Sequence, residues 1–169
     1  VSLDPYLIET LCLAHDIGHP PFGHGGEIAL HYMIHQHGGF EGNGQTFRIV
    51  TRLEPYTAEH GMNLSRRSVL GLVKYPNFID TLTNQDIVPA DDLRMRQVKA
   101  EHWHPPKGLF RCDENLFDWL LDPLKPEERD AFMAFNQSAD KHGKTSHKSF
   151  DCSVMELADD IAYGIHDLE

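Results

Sequence analysis

Apolar positions along this chain repeat with helical rather than strand spacing. Behind Asp4-Pro5, an N-cap followed by proline at the first helical position, Leu7, Ile8, Leu11, Leu13, Ala14 and Ile17 define a helix that Gly18 and Pro20-Pro21 end. Residues 25–37 predict a second helix closed by Gly38-Gly39. A third starts near Gln45, covers TFRIVTRLE and stops before Pro55. Ser65 is placed to cap a fourth, RRSVLGLVKY, ended by Pro76. Residues 113–122 and 126–136 predict two short helices, and a last helix covers Ser153 to Glu169. No period-two alternation persists, so the expected fold class is all-α.

Two stretches break this pattern. Residues 77–108, rich in Pro, Asp, His and charge, are expected to form a long loop or insertion with one short helix around Leu93 to Lys99. Residues 137–149 are polar and are expected to be a mobile loop. No internal repeat and no second-domain boundary is visible, and 169 residues suffice for one domain with a substantial core. The chain opens one turn before an apolar helix and stops at Glu169 inside a periodic one, which leads us to expect an internal segment of a longer protein.

Composition narrows the function classes. The formal charge of −11 argues against a general nucleic-acid surface and leaves open only a local basic groove. An acidic protein that handles a polyanion needs a local counter-charge. No apolar stretch is long enough to span a bilayer, so no membrane partner is expected. Three widely spaced cysteines without a CxxC fit a reducing, cytoplasmic setting better than a disulfide framework. Six of the twelve histidines fall between residues 15 and 37.

That clustering centres on LCLAHDIGHPPFGHGGE, residues 11–27. With about 100° per residue, His15 falls on the apolar face between Leu11 and Ile8, with His19 one turn on and Asp16 beside it. The flanking residues are apolar almost all round, so this helix is expected to be buried. A lone histidine there would be a satisfied core residue. A buried carboxylate beside it costs several kcal/mol unless a cation meets it, on the order of about 3–5 kcal/mol. A divalent metal shared by His15 and Asp16 removes that cost, and imidazole with carboxylate suits Mn, Fe, Co, Ni or Zn, or Mg with more oxygen ligands. A further ligand must come from elsewhere. The terminal VMELADDIAYGIHDLE supplies candidates. Val154, Ala158, Ile161, Ile165 and Leu168 form one stripe, while Glu156, Asp159, Tyr163 and Asp167 line the other side with Asp160 at its edge. Wheel geometry does not choose between Asp159 and Asp160, and a solvated acidic face is the plain alternative.

Taken in order, LAHDIGHPPFGHGGE, FEGNGQTFRIVTRLE, LSRRSVLGLVKYP and MELADDIAYGIHDLE resemble the deoxynucleoside triphosphate triphosphohydrolases of the HD superfamily, the dGTPase-like proteins. The resemblance spans nearly the whole chain. It implies an HD-domain helical bundle, a divalent metal, a commonly oligomeric protein, and hydrolysis of a dNTP to deoxynucleoside and inorganic triphosphate. It implies His15, Asp16 and Asp159 as metal ligands. His24, Glu27 and His19 become the catalytic group around the α-phosphate. Tyr163 is placed at the sugar, Asp167 at the 3′-hydroxyl, and Glu41 and Asn43 near the phosphates. Arg48, Arg52, Arg66, Arg67 and Lys74 are candidates for the outer phosphates. Family members carry another metal-binding histidine before the HD pair, so the shell in this chain is expected to be incomplete and the chain alone inactive, with a C-terminal region missing as well. Rival readings are another HD-type nucleotide phosphohydrolase or phosphodiesterase, and a catalytically silent nucleotide-sensing module. The i, i+4 pair His31/His35 is expected to be surface decoration, and Trp103 to pack the insertion down or meet a partner.

Overall fold

A computed structural model describes residues 2–87 and 99–168. The first helix, α1 (Pro5–Ala14), starts where Asp4 Oδ1 accepts from the Tyr6 and Leu7 backbone N–H groups. α2 (Gly23–Ile34) continues into a 3₁₀ turn over His35–His37, which Gly38 closes at φ 100°. α3 (Gly42–Arg48) widens into a π turn over Ile49–Leu53. α4 (Arg66–Leu72) is capped by Ser65 as its sequence predicts, with the hydroxyl accepting from Ser68 N–H. It stops three residues short of Tyr75, at Val73, where the backbone turns extended (φ −83°, ψ 92°). α5 (Ile79–Leu82), α6 (Glu114–Leu121) and α7 (Pro126–Phe132) follow, and α8 (Phe150–His166) closes the order.

The fold is thus mostly helical, as expected, with one exception. β1 (Phe135–Asn136) pairs antiparallel with β2 (Lys144–Thr145), Phe135 opposite Thr145. This two-residue ladder pins the polar 137–149 stretch, and two residues per strand are too few for any alternation to register. None of the described helices is long and apolar enough to cross a membrane. Cys12, Cys112 and Cys152 are free.

Two apolar cores organise the helices. Phe47, Val69, Val73, Phe78, Leu109, Phe117, Leu120 and Leu121 form one. Leu11, Val50, Leu72, Cys152 and Met155 form the other, and it joins α1, α4 and α8. Burying each large apolar side chain stabilises by about 1.5–3 kcal/mol. The expectation that α1 is buried all round is overturned: only Leu11 is buried, while Tyr6 and Leu13 are more than four-fifths exposed. The helix lies on the surface and packs one side against α4 and α8. In α8 the buried residues are Asp151, Cys152 and Met155, and the stripe of Ala158, Ile161, Ile165 and Leu168 faces outward.

The irregular stretch after Pro76 is part of the core. Phe78 and Leu109 pair across a parallel bridge, with Ile79 N–H donating to Leu109 O at 3.0 Å and Leu109 N–H to Asn77 O at 2.8 Å. Trp103 is buried and packs edge-on against Tyr32 and His35, both at 4.8 Å between ring centroids. Trp103 therefore ties this stretch to α2. The short helix expected around Leu93 to Lys99 falls almost wholly outside the described residues.

Candidate active site

α1 ends where the motif begins. His15 is its C-cap, and its Nδ1–H donates to the Cys12 carbonyl at 2.8 Å, a bond only that nitrogen can make as donor. The other ring nitrogen, Nε2, is buried and has no hydrogen-bond partner among the described residues. It stands 3.3 Å from Asp16 Oδ2 and 3.4 Å from Asp159 Oδ2, the latter delivered by α8. Two carboxylate oxygens facing an imidazole nitrogen call for positive charge at that point. Lys74 supplies part of it from the end of α4, its Nζ 3.5 Å from Asp159 Oδ2. Asp160, adjacent to it in α8, lines the same cleft without these contacts.

The donor set, one imidazole and two carboxylates, fits a divalent cation, and the orphaned Nε2 is the atom that such an ion would satisfy. The match is in chemistry and not in arrangement: among the described residues, no group of three or more His, Cys, Asp and Glu is placed to hold a metal ion.

The turn after His15 is pressed onto α3. Gly18 N–H donates to Thr46 Oγ1 at 3.0 Å, and a side chain at Gly18 would run into the α3 backbone. His19 follows, with Nδ1 buried, unpartnered and 3.3 Å from Asp16 Oδ1. Burial holds its pKa below the usual imidazole value, against the pull of Asp16 and Glu27. A Cβ on Gly42 would stand 2.9 Å from the His19 ring, so the close approach of ring to α3 depends on glycine there.

His24 opens α2, two-thirds exposed, with Nδ1 3.2 Å from Glu27 Oε2. Glu27 is buried, and its Oε1 accepts from Gly42 N–H at 2.8 Å. Burial pushes the Glu27 carboxyl up, but the Gly42 and His24 hydrogen bonds outweigh it and bring the pKa below the ordinary value. A carboxylate is thereby fixed behind the imidazole, which orients Nε2 outward.

Asp16, His19, His24 and Asp159 line a cleft of roughly 360 Å³ together with Asn43, Lys74, Tyr75, Lys107, Glu156 and Tyr163, while His15 and Glu27 touch its lining residues without lining it. Two residues expected at the substrate do not line it. Glu41 is fully buried as the N-cap of α3, and Asp167 is exposed at the C-cap of α8. The four arginines proposed for phosphate lie elsewhere. Arg52 pairs with Asp113 at 2.6 Å, Arg48 donates to Cys112 Sγ, Arg66 stacks on Trp119, and Arg67 grips Asp151 through two bonds. His31 and His35 are not surface decoration: His31 Nδ1 meets the Phe40 backbone and His35 Nδ1–H donates to Tyr32 O at 2.6 Å. Lys107 and Tyr75 were missed. Lys107 sits in the non-periodic stretch after Pro105-Pro106, and Tyr75 looked like the end of a helix. Burial pushes the Tyr75 phenol up to about 12, so it stays a hydrogen-bond donor.

No protein-family model matches the chain. Among curated proteins it is 60% identical over 166 residues to a deoxyguanosinetriphosphate triphosphohydrolase-like protein of Vibrio vulnificus. It is 60% identical to one of Vibrio cholerae and 56% to one of Aliivibrio fischeri, over the same length. Each match covers 96% of this chain and 37% of the relative. The chain thus spans well under half the length of the relatives it matches, and over that span it is similar to proteins named deoxyguanosinetriphosphate triphosphohydrolase-like.

Proposed function

We propose that this chain is the HD-type helical segment of a metal-dependent enzyme that hydrolyses a deoxynucleoside triphosphate, dGTP or a close analogue, to the deoxynucleoside and inorganic triphosphate. The observation that carries the reading is the unpartnered His15 Nε2 facing Asp16 and Asp159, two carboxylates that line the same cleft as His24, the hydrogen-bond partner of Glu27. The relatives' name, triphosphohydrolase-like, supports the reaction class.

His15, Asp16 and Asp159 are the residues that would hold the divalent cation, which when bound supplies Lewis acidity and charge neutralisation at the α-phosphate. His24 acts as the proton acceptor. Glu27 accepts a hydrogen bond from Nδ1–H, leaving Nε2 free to remove a proton from water as its oxygen bonds to the α-phosphorus, the bond to the 5′-oxygen breaks, and that oxygen takes up a proton from solvent to leave as the deoxynucleoside hydroxyl. His19, whose pKa burial lowers, donates a ring N–H to a phosphate oxygen without adding a fixed charge. Lys74 and Lys107 bring positive charge to a cleft that an acidic protein otherwise lacks. The Tyr163 ring, at the rim, forms a wall suited to the sugar.

The test is direct. The full-length protein, incubated with each of the four dNTPs and Mg or Mn, should release free triphosphate. Phosphate or pyrophosphate as the sole inorganic product would place the chain with another HD-type nucleotidase. Tight nucleotide binding with no product would make it a silent sensor.

A further inference from the structure

Thr46 is fully buried within α3, and its hydroxyl bonds in two directions. Along its own helix it meets the Gly42 carbonyl at 3.1 Å, the ordinary i to i−4 contact of a helical threonine. Across to the turn that follows α1, it accepts from Gly18 N–H at 3.0 Å and faces the His15 carbonyl at 3.1 Å. A hydroxyl has two lone pairs and one proton, so it can serve a donor and an acceptor of the same turn at once. The turn has use for both. α1 has ended there, and the N–H four residues after His15, that of His19, goes to Asp16 O instead. Gly18 lies so close to α3 that a Cβ on it would stand 2.1 Å from Thr46 N. The two bonds bracket Asp16 and Ile17. They therefore fix the short arc that carries the Asp16 carboxylate between His15 Nε2 and His19 Nδ1, 3.3 Å from each. One turn before Thr46, Gly42 N–H donates to Glu27 Oε1 at 2.8 Å, and Glu27 in turn meets His24. A single turn of α3 is thus the common base of the His-Asp arc and of the His24–Glu27 pair.

We propose that Thr46 is a positioning residue whose hydroxyl latches the His15–Gly18 turn onto α3 and so sets where Asp16 stands relative to His24. Its consequences for metal binding and turnover rest on the metal-dependent reading of the cleft; the latch itself does not.

Two substitutions in the full-length protein separate the hydroxyl from packing. Thr46→Val keeps the shape and loses the hydroxyl, whereas Thr46→Ser keeps the hydroxyl and loses a methyl group. If the residue only fills space, T46V is the milder change throughout. If the hydroxyl is the latch, T46V should weaken binding of Mn²⁺, titrated calorimetrically into the metal-free protein, by about 10–100-fold, the usual loss when a group supporting a metal ligand is removed. It should also lower kcat for triphosphate release, while T46S stays close to the wild type in both. Thr51→Val is the control. It removes another buried hydroxyl, bonded to Phe47 O at 2.7 Å, and should lower the melting temperature without moving metal affinity or kcat. Should T46V not fold, Thr46→Ala takes its place, since alanine and serine differ there only in the hydroxyl. Amide exchange in a peptide spanning Gly18, read by mass spectrometry, should be slow in the wild type and T46S and faster in T46V. Milder loss of metal affinity in T46V than in T46S, equal losses in T46V and T51V, or rapid exchange at the turn in the wild type would each overturn the proposal. If the wild type binds no divalent metal, the metal-dependent reading fails and the exchange comparison alone decides this one.

Discussion

His15 Nε2 and Asp159 Oδ2 stand 3.4 Å apart although they come from opposite ends of the chain. If they share a cation with Asp16, Asp16→Ala and Asp159→Ala in the full-length protein should each lose bound metal, measured by elemental analysis after gel filtration. His24→Ala should keep the metal and lower turnover by about 10²–10⁴-fold, the usual worth of a general base. Metal content surviving Asp16→Ala would show the ligand assignment to be wrong.

Lys107 and Lys74 reach the cleft from segments that share no helix. Neutralising either, as Lys107→Met or Lys74→Met, should weaken binding of inorganic triphosphate by about tenfold or more, since each removes a charge-assisted contact. Isothermal titration with triphosphate checks this. The same change at Arg66, which stacks on Trp119 outside the cleft, should leave the affinity alone.

Asp151 and Arg67 tie α8 to α4 through bonds of 2.7 and 2.8 Å, and the hydrogen bonds from Arg67 hold the Asp151 carboxyl below the ordinary range. A lowered carboxyl pKa stabilises the fold fully above the unfolded value, about pH 4, and the contribution fades as pH falls through the folded value. Asp151→Asn should therefore melt below the wild type at neutral pH, with the gap closing in acid below about pH 4. A gap constant with pH would mean that the ionised pair contributes nothing.

Leu11 is buried where α1 meets α4 and α8. Leu11→Ala should cost about 2–5 kcal/mol in denaturant unfolding, within the range for a cavity in a packed core. Because the same contact sets His15 opposite Asp159, metal affinity should fall along with stability.

What could be read from the residues alone follows from where periodicity carries information. The helical order and the caps at Asp4 and Ser65 were legible, because each rests on local spacing; the choice of Asp159 to face the opening His-Asp came from the family resemblance, since wheel geometry left Asp160 and a solvated acidic face open. The core role of Phe78, Trp103 and Leu109 was not, since irregular backbone buries side chains without repeating them. Lys107 was hidden for the same reason. The arginines were misjudged because a charge looks the same in sequence whether or not a carboxylate such as Asp113 or Asp151 already meets it. In α8 both flanks are plausible interiors, and only the packing of Cys152 and Met155 decides between them.

That last helix is packed into the apolar core at one end only. Its contacts with the core stop near Met155, and from Asp160 onward every described position is open to solvent. A small tilt about that end displaces each residue in proportion to its distance from it. Tyr163 lies about 6 Å farther out than Asp159, at 1.5 Å of rise per residue. A tilt of that kind would therefore move the tyrosine ring farther than the carboxylate opposite His15, and would widen or narrow the cleft mainly on the tyrosine side.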